Sequence, residues 1–280
     1  MRILLFLALL ASVFGFNSIR LSLLGFRGRT KLSVRNELFM AMGSISKVSF
    51  KVSSLQQSVD FYKKAIGMDV DLQEGKIASL SFGGDISLEL EESGDALDSK
   101  LRGDGFLGIG VAFPDAKMIC DAAEQEGGAV TFPFGEYAYG ASLVPDQDEL
   151  KQFPVTYGKI SDPDGYIIEV LQGFRAEPFI KATLSVLDLD DAISFYTNDL
   201  GLKLLRKRSN VNSKPRNASF VAYVGAGESE EDEPYLELVY KYATEKVNVG
   251  KCLKGITLAG CKGSKDGAIS DLDGYPLLLA

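Results

Sequence analysis

The 280-residue chain contains no histidine. That absence removes the commonest general base of enzyme sites, every Ser-His-Asp or Cys-His arrangement, and any metal site ligated by imidazole. Cysteine is scarce. Cys120, Cys252 and Cys261 are an odd set with no C-x-x-C pair, so free thiols in a reducing compartment are expected rather than a disulfide framework. Positive charge is in deficit, with 30 Lys and Arg against 38 Asp and Glu and a net charge of −8. Six of the basic residues (Arg2, Arg20, Arg27, Arg29, Lys31, Arg35) precede Phe39, against the single acid Glu37. The remainder is therefore more acidic than the total, which disfavours nucleic acid and anionic membranes as partners. Hydrophobic residues make up 46% of the chain, enough for well-filled cores.

Residues 1–38 read as an address. Arg2 precedes an apolar run, ILLFLALLASVFGF, at 3–16, too short to span a bilayer comfortably but suited to a signal h-region. Residues 17–35, NSIRLSLLGFRGRTKLSVR, are rich in Ser and Arg and free of acids, as in organellar transit peptides. A signal followed by a transit region resembles the bipartite plastid-targeting leader of algae with red-type secondary plastids, and Ala11-Ser12-Val13-Phe14 is close to the ASAF-like motif of such leaders. The resemblance implies plastid delivery and no membrane segment in the mature form; plain secretion is the alternative.

What is present is a repeat. Residues 47–68, KVSFKVSSLQQSVDFYKKAIGM, return at 181–202 as KATLSVLDLDDAISFYTNDLGL. Each copy is an alternating strand, a polar link and an amphipathic helix, with Leu55, Val59, Phe61, Tyr62 and Ile66 matched by Leu189, Ile193, Phe195, Tyr196 and Leu200. Each helix ends at a glycine (Gly67, Gly201) where a C-cap belongs. The chain is therefore two copies of one module, at 45–173 and 177–280, with an α+β architecture of tandem βαβββ units. In the first module the pattern predicts a helix over 55–66, strands at 47–52, 77–82, 86–91, 108–113, 129–134, 155–160 and 166–171, and a helix at 116–126 capped by Asp115. Residues 93–104 and 137–153 are expected as polar loops. In the second module 255–259 matches 108–112 and 269–275 matches 160–166, but little lies between those landmarks. The fourth unit is truncated, and Pro276 is expected to hold its strand at a sheet edge. The loss predicts an apolar patch and a partner surface, with a homodimer as one occupant. Tyr62, Tyr196 and Cys120 read as core residues.

The repeated S-x-x-F-Y-x-x-x-x-G-[ML] pattern, L-E-L in both modules (Leu88-Glu89-Leu90, Leu236-Glu237-Leu238), SDPDGYIIE at 161–169, LKLLRKR at 202–208 and NASFVAYVG at 217–225 resemble the glyoxalase I (lactoylglutathione lyase) family of the vicinal-oxygen-chelate superfamily. The resemblance covers nearly everything after residue 44. It implies paired βαβββ units with U-shaped sheets around a divalent metal, glutathione as a substrate component, and isomerisation of the methylglyoxal–glutathione hemithioacetal with a carboxylate moving the proton. It also implies sites that join the first half of one module to the second half of the other.

Read position by position, one such site takes Lys47, Glu89, Gly255 and Leu278, and the other takes Lys181, Glu237, Gly108 and Glu169. The family's neutral ligands are lost from both, and only the second keeps two carboxylates. There Glu169 and Glu237 hold a hard divalent ion, with Glu169 as the catalytic carboxylate, or the Lys181 ammonium fills the metal's place as a buried ion triad. Lys51 meets the basic position used for glutathione, where the second copy has Ser185. Two functions follow: a glyoxalase I-like lyase with impaired activity, or a non-catalytic small-molecule-binding or structural protein on the same cup.

Overall fold

The computed structural model describes residues 43–139, 153–210, 219–262 and 267–280. The leader, and most of the loop expected over 137–153, lie outside the described residues. Phe39–Ala280 forms one compact unit.

The first copy opens with β1 (Ser44–Val52), then α1 (Leu55–Phe61) continued by a π-helical turn (Tyr62–Ile66), then β2 (Asp69–Glu74), β3 (Ile77–Ser81) and β4 (Ser87–Glu92). A short helix, α2 (Ser99–Arg102), leads to β5 (Phe106–Phe113), α3 (Ala116–Ala123), β6 (Ala129–Tyr139), β7 (Phe153–Ser161) and β8 (Ile167–Gln172). The second copy has β9 (Phe179–Ser185), α4 (Leu189–Ser194) with its π-helical turn (Phe195–Asp199), β10 (Lys203–Asn210), β11 (Ser219–Gly225) and β12 (Tyr235–Lys241). It closes with β13 (Leu253–Ala259), β14 (Gly267–Ser270) and β15 (Pro276–Leu279).

Local chemistry explains the repeated strand–helix units. Ser54 accepts a hydrogen bond from the Gln57 amide, and Asp188 from the Asp190 and Asp191 amides, so each helix starts on a capping side chain. Gly67 closes the first unit at φ 87°, a backbone angle that favours glycine. Along β1 the residues Val48, Phe50 and Val52 are buried on one face while Lys47 and Lys51 alternate onto the other. The same alternation buries Leu88 and Leu90 but not Glu89 and Glu91 in β4.

The halves are exchanged. Sheet A runs β14-β15-β13-β1-β4-β3-β2, and sheet B runs β10-β11-β12-β9-β5-β8-β7-β6. Each sheet thus combines the first half of one copy with the second half of the other. β1 lies parallel to β4 and antiparallel to β13, and β9 repeats this between β12 and β5.

Two equivalent ties fasten the sheets together. The buried Tyr62 hydroxyl donates to Asp162 Oδ2 at 3.1 Å, while Asp162 Oδ1 accepts from the amides of Asp164 (3.0 Å) and Tyr166 (2.8 Å). The Tyr166 hydroxyl then donates to the Lys51 carbonyl at 2.8 Å. Tyr196, Asp271, Asp273, Tyr275 and Ser185 repeat the arrangement in the second copy. The two tyrosines assigned to the core are core residues, and their hydroxyls fix the turn before each closing strand.

Some expectations are corrected. β2 is a strand that the apolar pattern missed, because five of its six residues are exposed. Asp115 precedes α3 but makes no capping hydrogen bond from its side chain. Pro276 begins β15, which lies between β14 and β13 rather than at an edge; as the first residue of a strand it removes no interior ladder bond. Among the described residues the second copy has no counterpart of α3 or β6. The second helix is less covered than the first: Phe195 and Ile193 are partly buried where their counterparts Phe61 and Val59 are buried.

Tyr62→Phe removes one donor from a buried carboxyl and is expected to lower the unfolding free energy by about 1–3 kcal/mol, read from urea midpoints; an unchanged midpoint contradicts the tie.

Candidate functional site

Sheet B carries a charged group on the face opposite its helices. Alternation puts Lys181 and Thr183 of β9 on that face, with Ala182 and Leu184 buried behind them. In β12 it does the same for Glu237, between the fully buried Leu236 and Leu238. Register brings the strands together: Lys181 lies opposite Gly110 of β5, and Gly110 lies beside Glu169 of β8.

The Lys181 ammonium is the centre. Its Nζ donates to Glu169 Oε1 and to Glu237 Oε2, each at 2.7 Å, and the side chain is 2% exposed. Lys159 Nζ reaches the other Glu169 oxygen at 2.9 Å. Thr183 Oγ1 donates to Glu237 Oε2 at 2.9 Å, and Arg208 Nη2 lies 3.5 Å from Glu237 Oε1. The Arg208 guanidinium also sits 4.8 Å from the centroid of the Tyr223 ring. Burial alone would raise the Glu169 carboxyl, but the charges of Lys181 and then Lys159 outweigh it and hold the group well below the usual carboxylate range.

Glycine makes room for this arrangement. A Cβ at Gly110 would stand 2.6 Å from Lys181 Cγ and 2.8 Å from Cε, so no other residue lets the lysine lie across β5 in this pose. Gly108, which the resemblance placed at a ligand position, lies opposite Thr183, and a Cβ there would run into the Ile167 carbonyl.

The equivalent face of sheet A brings together Lys47 and Glu89 at 3.0 Å, with Lys47 36% exposed. Thr257 lies opposite Lys47, in the place that Gly110 occupies opposite Lys181. Leu278 lies beside Thr257, as Glu169 lies beside Gly110. The second carboxylate and the clearance for the lysine are both lost, which leaves an ordinary half-exposed pair. Lys51 is on β1 of sheet A and belongs to this face, apart from the Glu169–Lys181–Glu237 group.

Sequence reasoning assembled Lys181, Glu169 and Glu237 but missed Lys159, Thr183, Arg208 and Gly110. The signal for Gly110 was present: the repeat reads GIG at 108–110 and GIT at 255–257. Lys159 lies two residues from the buried Ser161 along one alternating strand. Among the described residues, no three His, Cys, Asp or Glu side chains converge as metal ligands do.

Known proteins resemble this chain over parts of its length and theirs. Residues 44–170 match the model of the Glyoxalase/Bleomycin resistance protein/Dioxygenase superfamily. An Arabidopsis thaliana protein called probable lactoylglutathione lyase, chloroplastic, is 30% identical over 221 residues, which is 75% of this chain and 58% of that protein. An Arabidopsis thaliana lactoylglutathione lyase is 29% identical over 221 residues, 75% of this chain and 71% of its own length. The crystal structure of glyoxalase I from Zea mays superposes with a TM-score of 0.65 at 22% identity, covering 84% of this chain and 91% of the maize chain. That likeness establishes the fold.

The depressed Glu169 carboxyl has a pH consequence. Its folded value lies below the unfolded one, near 4.5, so its stabilisation is complete above that pH and is lost as pH falls through the folded value. The difference in unfolding free energy between wild type and Glu169→Gln, from urea titrations at several pH values, is expected to be largest above pH 4.5 and to shrink as the pH falls toward 2. A difference that does not change with pH contradicts the ion network.

Proposed function

We propose that this chain is a glyoxalase I-like protein of the vicinal-oxygen-chelate superfamily, that it keeps the cup of that fold as a small-molecule-binding site, and that it carries out no metal-dependent lyase reaction. One observation carries the reading: the Lys181 ammonium sits 2.7 Å from an oxygen of Glu169 and 2.7 Å from an oxygen of Glu237.

The family resemblance implies a divalent metal held by Glu169, Glu237 and two neutral donors. The residues present do not fit one. The point at which both carboxylates aim is taken by a fixed positive charge. Gly108 supplies no donor side chain, and the first-strand position supplies an ammonium in place of a lone pair. A metal would have to expel Lys181, whose stem lies in the clearance at Gly110. The proton-moving role of Glu169 is weakened by the same contacts. A general base works best with a pKa near the operating pH, and Lys181 and Lys159 hold Glu169 far below it. Glutathione recognition through Lys51 is not supported at this cup, since Lys51 lies on the other sheet.

The same proposal places the mature protein in the plastid. Its support is the bipartite reading of residues 1–38 and a relative named as chloroplastic; secretion is the other reading of the leader. Among the described residues no helix is long and apolar enough to cross a membrane.

The test is hemithioacetal isomerisation by the full chain, after chelation and after adding Ni²⁺, Zn²⁺, Mg²⁺ or Mn²⁺. The expected result is no turnover above the chelated baseline with any metal. Metal-dependent turnover that disappears in Glu169→Gln would make the protein a working lyase and overturn the proposal.

A further inference from the structure

Sheet B has a second hollow, on the side that carries its helix. Alternation puts Phe220, Ala222 and Val224 of β11, and Leu236, Leu238 and Tyr240 of β12, on that side, away from Tyr223 and Glu237. Ala222, Val224, Leu236 and Leu238 are buried there, while Phe220 and Tyr240, further along the same strands, are only partly covered. A cavity of about 330 Å³ lies over these two residues, bounded by the start of α4 and by β10. Small-molecule pockets span roughly 300–1,000 Å³.

The cavity is apolar at its base and acidic at its rim. Phe220 and Tyr240 lie opposite each other in register, with ring centroids 6.3 Å apart and an interplanar angle of 21°. Leu187 and Leu189 line it from the helix side. Two exposed carboxylates, Asp188 and Asp190, and one ammonium, Lys207, complete the lining. Lys207 is paired with Asp190. Asp188 has no cation of its own among the described residues. Its Oδ1 accepts from the amides of Asp190 and Asp191, each at 2.9 Å, and its Oδ2 has no partner among the described residues.

The first copy carries none of this at the equivalent place. The shared L-E-L puts Glu92 where the second copy has Tyr240, and the ladder puts Lys76 in the place of Phe220 and Gln73 in that of Lys207. At the start of α1, Ser54 and Gln56 stand for Asp188 and Asp190. Both copies build the same strand–helix unit, so the fold requires neither the ring pair nor the carboxylates.

We propose that this cavity binds an organic monocation, with its ammonium on the Asp188 carboxylate and its apolar body on Phe220 and Tyr240. Two carboxylates against one ammonium leave the lining one negative charge in excess, and the rings and leucines exclude a ligand that is charged throughout. The site lies on the opposite face of sheet B from the Glu169–Lys181–Glu237 group and does not depend on what the cup does.

The chain has no tryptophan, so the fluorescence of a naphthyl probe is readable in its presence. The full chain is titrated with 1-naphthylmethylammonium and with its neutral isostere 1-naphthylmethanol. The ammonium is expected to saturate with a Kd at least threefold below that of the alcohol, the scale of one partly exposed charge pair. Asparagine caps a helix as well as aspartate, so Asp188→Asn removes the charge and keeps the start of α4. That variant is expected to bind the ammonium no more tightly than the alcohol, with the alcohol unchanged. Phe220→Leu is expected to weaken both probes. Failure of the ammonium to saturate, equal affinity for ammonium and alcohol, an undiminished preference in Asp188→Asn, or an unaffected Phe220→Leu would each overturn the proposal.

Discussion

Two carboxylates aimed at one point inside a protein repel each other and have lost most of their water; both stay ionised only if a positive charge stands between them. In this chain Lys181 is that charge. The lysine cannot be repositioned freely, since it crosses β5 where Gly110 leaves space, and it cannot be removed without leaving Glu169 and Glu237 facing one another. Lys159 and Thr183 bond the oxygens around the centre, and Arg208 lies alongside. Such a network contributes little net stability compared with a well-packed apolar core, but it is costly to break. It ties β9 and β12, which pair within the second copy, to β8 of the first copy across β5.

The exchange makes the two faces a natural comparison. Both were built from the same repeat, and both retain the tyrosine–aspartate tie that fastens helix, turn and opposite sheet. On sheet B a lysine, two glutamates and a glycine form a closed, buried centre. On sheet A the glycine is Thr257 and the second glutamate is Leu278, and the remaining Lys47–Glu89 pair lies half in solvent. The shared scaffold shows that the fold does not require the charged centre. Its survival on one sheet is a property of that cup.

The parts of the fold carried by local periodicity were legible. The strand–helix units, their glycine stops and the core role of Tyr62 and Tyr196 follow from alternation, capping chemistry and the repeat. The elements missed were those whose burial does not alternate. β2 is almost wholly exposed, and β6 continues past Pro133 to Tyr139 because, as the last strand of sheet B, it tolerates a proline that an interior strand would not. At the site, Lys181, Glu169 and Glu237 could be brought together from the repeat and the family resemblance. Lys159 and Arg208 could not, since their place depends on which strand lies beside which and in what register. Gly110 was readable only as a difference between the copies, GIG against GIT, whose meaning appears once the lysine is seen lying over it.

The chemistry of the cup depends on the identity of the cation between Glu169 and Glu237. The most direct measurement is a crystal structure of the protein grown in millimolar Mn²⁺, with data collected for manganese anomalous scattering. The expected result is no anomalous peak between the two glutamates and continuous density from the Lys181 stem to an ammonium at that point. A peak bonded to Glu169 and Glu237, with Lys181 turned away, would contradict it.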